Sequence, residues 1–167
     1  MEPRTIYLIS SRPSPHQRAH FALWVPSAAN PQVGSSIHVV GAPMAGFALE
    51  FKRGYNPALT GTDHEIWPIG QVDSSHIVEV PDPGRIITEN TPRGNLEIAA
   101  TQVRPPGISV NFMAPVNDTT NKRCQEWTME YVRHLVAKGY ISAEAIQIVQ
   151  SHRDHPSFGI GLRPVPR

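Results

Sequence analysis

Seventeen prolines in 167 residues constrain this chain more than any other feature. Each removes a backbone donor and breaks a helix interior, so long helices are few and connections are stiff and numerous. The runs between prolines are strand-like first and helical later. That order implies an α+β fold, with an antiparallel sheet from the N-terminal half packed against C-terminal helices. One domain, residues 1–167, is expected at this length. Folding can bury roughly two thirds of the unfolded surface, enough for a genuine core.

Residues 5–9 mix β-branched and aromatic side chains and read as a strand. So do 20–25, where alternation puts His20, Ala22 and Trp24 on one face and Phe21, Leu23 and Val25 on the other. Residues 36–40 are the expected hairpin partner of that strand. Further strands are expected at 46–51, 65–69 and 76–80, with a turn at 54–57 and a loop at 81–92. A short helix is expected at 95–103, ended by Pro105-Pro106. The strongest helix spans 118–138, with Gly139 placed to end it and Asp118, Thr119, Thr120 or Asn121 to cap its start. Another short helix opens near Ser142 and runs to about His152. Residues 154–167 read as an extended tail.

Hydrophobic content is 40% and charged content 17%, which marks a globular chain. The net charge of +1, with dispersed basic residues, excludes a nucleic-acid footprint. No stretch approaches the roughly 20 apolar residues of a membrane span. A single cysteine rules out an internal disulfide, and the cytoplasm is the expected location.

That lone cysteine is where chemistry is to be sought. At 100° per residue, Cys124 shares the apolar stripe of the main helix with Trp127, Thr128, Tyr131, Val132 and Leu135, while Lys122, Glu126, Glu130 and Arg133 fall opposite. Cysteine is a common core residue. Near a helix N-terminus, however, its thiolate is favoured by the backbone dipole, and Lys122 and Arg123 add positive charge. Of the eight histidines, His16, His64, His152 and His155 sit among polar residues and read as solvated. His20 and His38 each fall inside a short apolar strand, and an imidazole there needs hydrogen-bond partners or a task. No third ligand is evident for a metal beside them, and no phosphate-cradling glycine loop is present. No cofactor is expected.

The segments His20-Phe21-Ala22-Leu23-Trp24-Val25, Ile37-His38-Val39-Val40 and Asn121-Lys122-Arg123-Cys124-Gln125-Glu126-Trp127 together carry a resemblance. They resemble the circularly permuted branch of the papain-like NlpC/P60 superfamily, which includes the lecithin:retinol acyltransferase-like enzymes and the PPPDE deconjugating peptidases. In that order the histidine precedes the cysteine. The resemblance implies a permuted papain-like fold, with His20 as base, His38 as the orienting residue and Cys124 as nucleophile. Arg123 stands where the family usually has asparagine. Residues 37–55 are also similar to uncharacterised proteins of filamentous fungi.

Three functions are open on these residues. The first is a thiol hydrolase or acyltransferase acting on an amide, ester or thioester of a small molecule or peptide conjugate. The second is an isomerase or cyclase in which His20, His38 or Glu50 moves protons and Cys124 only packs. The third is a non-catalytic binding module with Trp24, Trp67 and Trp127 lining a groove. Trp24, Glu50 and Arg123 are the residues expected to bind substrate.

Overall fold

The computed structural model describes residues 2–160. Its six strands are β1 (Pro3–Ser11), β2 (His20–Pro26), β3 (Gly34–Ala42), β4 (Gly46–Tyr55), β5 (His64–Asp73) and β6 (Ile87–Glu89). They form one sheet in the order β5-β1-β2-β3-β4-β6, antiparallel at every pairing. Three helices follow: α1 (Asn95–Thr101), α2 (Cys124–Ala137) and α3 (Glu144–Ser151). The α+β class and the strands-then-helices order are as expected. The strand 76–80 is not: Ser74–His76 forms a single 3-10 turn, and β6 arises instead inside the expected loop.

One face of the sheet carries the core. Ile6, Leu8, Phe21, Leu23, Ile37, Val39 and Phe51 are sealed there against Trp127, Tyr131, Val132 and Leu135 of α2. Alternation along β2 accounts for Phe21, Leu23 and Val25 facing the helices. Tyr131 Oη donates to the Leu96 carbonyl at 2.6 Å, tying α2 to α1. Arg53 is buried beside Glu97, with Nη1 2.5 Å and Nη2 2.8 Å from its carboxylate, so β4 is fastened to α1 by a paired charge. A buried charge is tolerable only when paired in this way.

The main helix starts six residues later than its periodicity predicts. Asn117 Oδ1 accepts from the backbone N–H groups of Thr119, Thr120 and Asn121, at 2.7 to 3.1 Å. A side chain that captures three amides offers the backbone an alternative to helix. Arg123 becomes the N-cap and Cys124 the first helical residue. Glu126, expected on the solvent face, is fully buried. Its Oε1 accepts from the Arg123 N–H at 2.9 Å, and its Oε2 pairs with Arg153 at 2.8 Å and Arg18 at 3.5 Å. Helical periodicity carries no information about arginines arriving from other segments.

The segment after Asp154 was expected to be extended. Residues 155–160 instead turn back onto the loop before β2, where Arg18 donates to the carbonyls of His155 and Phe158. Residues 161–167 of that tail lie outside the described residues.

Candidate active site

The sheet contains a fork that the strand pattern does not reveal. β1 and β2 stay paired from Tyr7–Trp24 to Ser11–His20. β3 and β4 stay paired out to Ala42–Gly46. Between β2 and β3, however, the ladder runs only from Pro26–Gly34 to Leu23–Ile37. Beyond Leu23 and Ile37 the two central strands part while each keeps its outer neighbour. The inner edges of the fork expose backbone groups that need partners.

The start of α2 supplies them. Gln125 Nε2 donates to the Ala19 carbonyl at 3.0 Å, and Cys124 Sγ lies 3.7 Å from the same oxygen. The N–H groups of Phe21 and Gln125 favour the ionised form of the thiol. Asp154 completes the clasp by accepting from the Ala19 N–H at 2.9 Å and from Gln125 Nε2 at 2.8 Å. Thus α2 is docked with its first residue against the open edge of β2.

His20 and His38 stand on the other face of the fork. His20 Nε2 is 2.7 Å from His38 Nδ1, and His38 Nε2 is 3.1 Å from Glu50 Oε1. Glu50 lies directly across the β3–β4 ladder from His38, which explains its reach. The carboxylate can only accept, so His38 carries its proton on Nε2 and accepts at Nδ1. His20 must then donate from Nε2, which leaves its Nδ1 as the unprotonated nitrogen. The chain therefore sets the tautomer that a base requires.

Because the strands part, groups from both faces open on one cleft of about 570 Å³. Ala19, His20, His38, Gly41, Lys52, Arg123 and Cys124 contribute to its walls. Gly41 has φ +148°, and a Cβ there would lie 2.1 Å from the Gly46 carbonyl oxygen, so glycine lets β3 and β4 close at the rim.

Burial favours the neutral form of His20, His38 and Cys124. Burial, reinforced by the charges of His38 and Lys52, pulls His20 down to about 3. Burial and Lys52 pull His38 down to about 4. Burial pushes the Cys124 thiol up to about 11, against the opposing pull of the Phe21 amide. Among the described residues no hydrogen bond joins the thiol to either imidazole. Cys124 as a residue is intermediate in exposure, and its thiol is the deeply desolvated part.

Of the residues expected to bind substrate, only Arg123 lines this cleft. Glu50 sits behind His38 as its carboxylate partner. Trp24 is 6% exposed, packs against Tyr7 and donates to the Tyr55 carbonyl. Trp67 stacks on His152 at 3.5 Å, and Trp127 is core. The three tryptophans therefore share no groove. Lys52 lines the cleft yet lies in no motif, and Gln125, inside the helix-start segment, carries no expected role; their places follow from strand register and the fork. No group of three His, Cys, Asp or Glu side chains among the described residues is arranged to hold a metal ion.

The chain belongs to DUF6540, a family of unknown function whose model matches residues 6–142, a span that includes His20, His38, Glu50 and Cys124. No curated protein and no solved structure matches the chain.

Proposed function

We propose that this DUF6540 member is a cysteine-dependent hydrolase or acyltransferase acting on an amide, ester or thioester carbonyl, in a permuted papain-like manner. The observation that carries the reading is one cleft holding a thiol at a helix start and a histidine whose tautomer is set by a second histidine and a carboxylate. On this reading His20 Nδ1 takes the proton from Cys124 as Sγ bonds to the carbonyl carbon. The π electrons of that carbonyl move onto its oxygen. Unpaired N–H groups of the first turn of α2 hold the oxyanion. Collapse of the intermediate expels the leaving group, which takes the proton from His20. Water or a second nucleophile then releases the acyl group by the same steps in reverse.

The neutral resting state is compatible with this chemistry. The proton leaves the sulfur as the S–C bond forms, so no thiolate–imidazolium pair has to build up in the dry cleft beforehand. The Glu50 carboxylate, reached through His38, then offsets the charge that appears on His20.

The raised thiol and its contact with the Ala19 carbonyl favour a second reading, in which the histidine chain moves substrate protons and Cys124 only packs. A peptidyl-type vinyl sulfone or acyloxymethyl ketone separates the two. Labelling on Cys124 is expected in the parent protein, with a fall of about 100-fold in His20→Gln, the range of a lost general base. Equal labelling rates in parent and His20→Gln contradict the cysteine-enzyme reading.

A further inference from the structure

The charges around the cleft say what kind of acyl compound fits it. Three cations contribute to its walls, Arg18, Lys52 and Arg123, and no aspartate or glutamate does. They stand on both sides of the reacting pair. Lys52 projects from the same face of β4 as Glu50, beside His38, and its charge is felt at both imidazoles. Arg123 directly precedes Cys124, across the fork.

The nearest carboxylates are already engaged. Glu50 is held by His38. Glu126 lies fully buried beneath α2, shared between Arg153 and Arg18. Asp154 pairs with Arg12 at 2.7 Å. Neither Lys52 nor Arg123 forms an ion pair among the described residues; Arg123 reaches only the Phe112 carbonyl, and Lys52 lies over the Tyr55 ring. The Nε atoms of Arg18 and Arg123 are buried without a hydrogen-bond partner among the described residues. The Arg18 side chain is only 6% exposed. Burial and the neighbouring Arg18 charge weaken the hold of Arg123 on its proton. A partly dehydrated cationic wall with open donors is matched by an anion.

The geometry points to a substrate that carries a carboxylate or phosphate group close to the carbonyl attacked by Cys124, with Lys52 and Arg123 as the residues that select it. This rests on the reading of the cleft as a cysteine acyl-transfer site and adds its substrate class. It does not depend on turnover for its test.

Because Cys124 is the only thiol in the chain, its alkylation reports the local field directly. The second-order rates of iodoacetate and iodoacetamide are measured at pH 9 on the full chain, each normalised to free cysteine. The normalised ratio is expected to favour the anionic reagent by about tenfold, the low end of steering by a charged cleft. Raising the salt concentration to 0.5 M is expected to bring the ratio towards that of free cysteine. In Lys52→Gln/Arg123→Gln the ratio is expected to match free cysteine at low salt. Should that variant not fold, the salt series on the parent decides alone.

Inorganic phosphate and succinate, at matched ionic strength, are then compared as protectors of Cys124 against iodoacetamide. Protection by phosphate alone assigns a phosphate-bearing substrate, and protection by succinate alone a carboxylate. Protection by both supports the shared anion chemistry. A normalised ratio near one in the parent, a ratio unchanged by salt, or protection by neither anion overturns the inference. Ester turnover that survives loss of Cys124 overturns the underlying cysteine-enzyme reading instead, so the two fail separately.

Discussion

Cys124→Ala is expected to lower turnover of an activated acyl ester by about 10⁴-fold or more, the scale of losing a nucleophile from a cooperating set. His20→Gln is expected to lower it by about 10²- to 10⁴-fold. The two losses should not add, because thiol and imidazole act in the same step. The double variant is therefore expected to fall no further than Cys124→Ala. His38→Phe removes the acceptor that fixes the proton on His20 Nε2, so its effect should fall on kcat with KM little changed. Neither histidine is needed to hold the sheet together: the core lies on the opposite face, among Phe21, Leu23, Ile37 and Val39. Far-UV circular dichroism of each variant checks that the fold persists. Parental turnover by Cys124→Ala would remove the nucleophile from the account and leave the histidine chain as the working part.

The second large effect is on stability, and it comes from the same histidines. His20 is held at about 3 and His38 at about 4, both below the ordinary 6.5, chiefly because burial penalises the imidazolium. In the unfolded chain each takes up a proton near pH 6.5; in the folded chain neither does until the medium is far more acidic. Between those limits the unfolded state binds more protons, so stability falls as pH falls. Above pH 6.5 this cost is absent. Between pH 7.5 and pH 5 each histidine is expected to cost about 2 kcal/mol, the integral of one proton over that interval. Urea denaturation at pH 7.5, 6.5 and 5 measures it. A His20→Gln/His38→Asn variant should show a much flatter dependence, whatever its stability at pH 7.5. Asp154 and Glu89 are stabilised as carboxylates by Arg12 and Arg53 respectively, and their contributions are lost only below the ordinary carboxylate range. The window above pH 5 therefore isolates the imidazoles. A urea midpoint that stays level from pH 7.5 to 5 would contradict the buried, neutral pair.

How far the chain could be read without coordinates follows from which forces act locally. Alternation in β2 separated Phe21, Leu23 and Val25 from His20, Ala22 and Trp24, and the β2–β3 hairpin follows from two neighbouring runs with a turn between. Both are short-range properties. The start of α2 was misplaced because the side chain of Asn117 competes for the amides of residues 119–121, a contest that periodicity does not register. Helical periodicity points Glu126 to solvent because the arginines that pair with it come from positions 18 and 153. The fork is the deepest omission. Strand pattern shows which residues extend, not where a ladder stops, and only the end of the β2–β3 ladder at Leu23–Ile37 brings opposite faces into one cleft. Glu50 became legible as the partner of His38 only with the register that sets them opposite each other. Lys52, two residues further along the same face, followed for the same reason.

The most direct test of the account is the chemical form of the protein during turnover of an activated ester. Acid quenching within the first turnover, followed by peptide mass mapping, is expected to find the acyl group on the peptide containing Cys124, at near-stoichiometric occupancy when deacylation is slow. Ester hydrolysis that proceeds with Cys124 unmodified throughout, at a rate unchanged in Cys124→Ala, would contradict it.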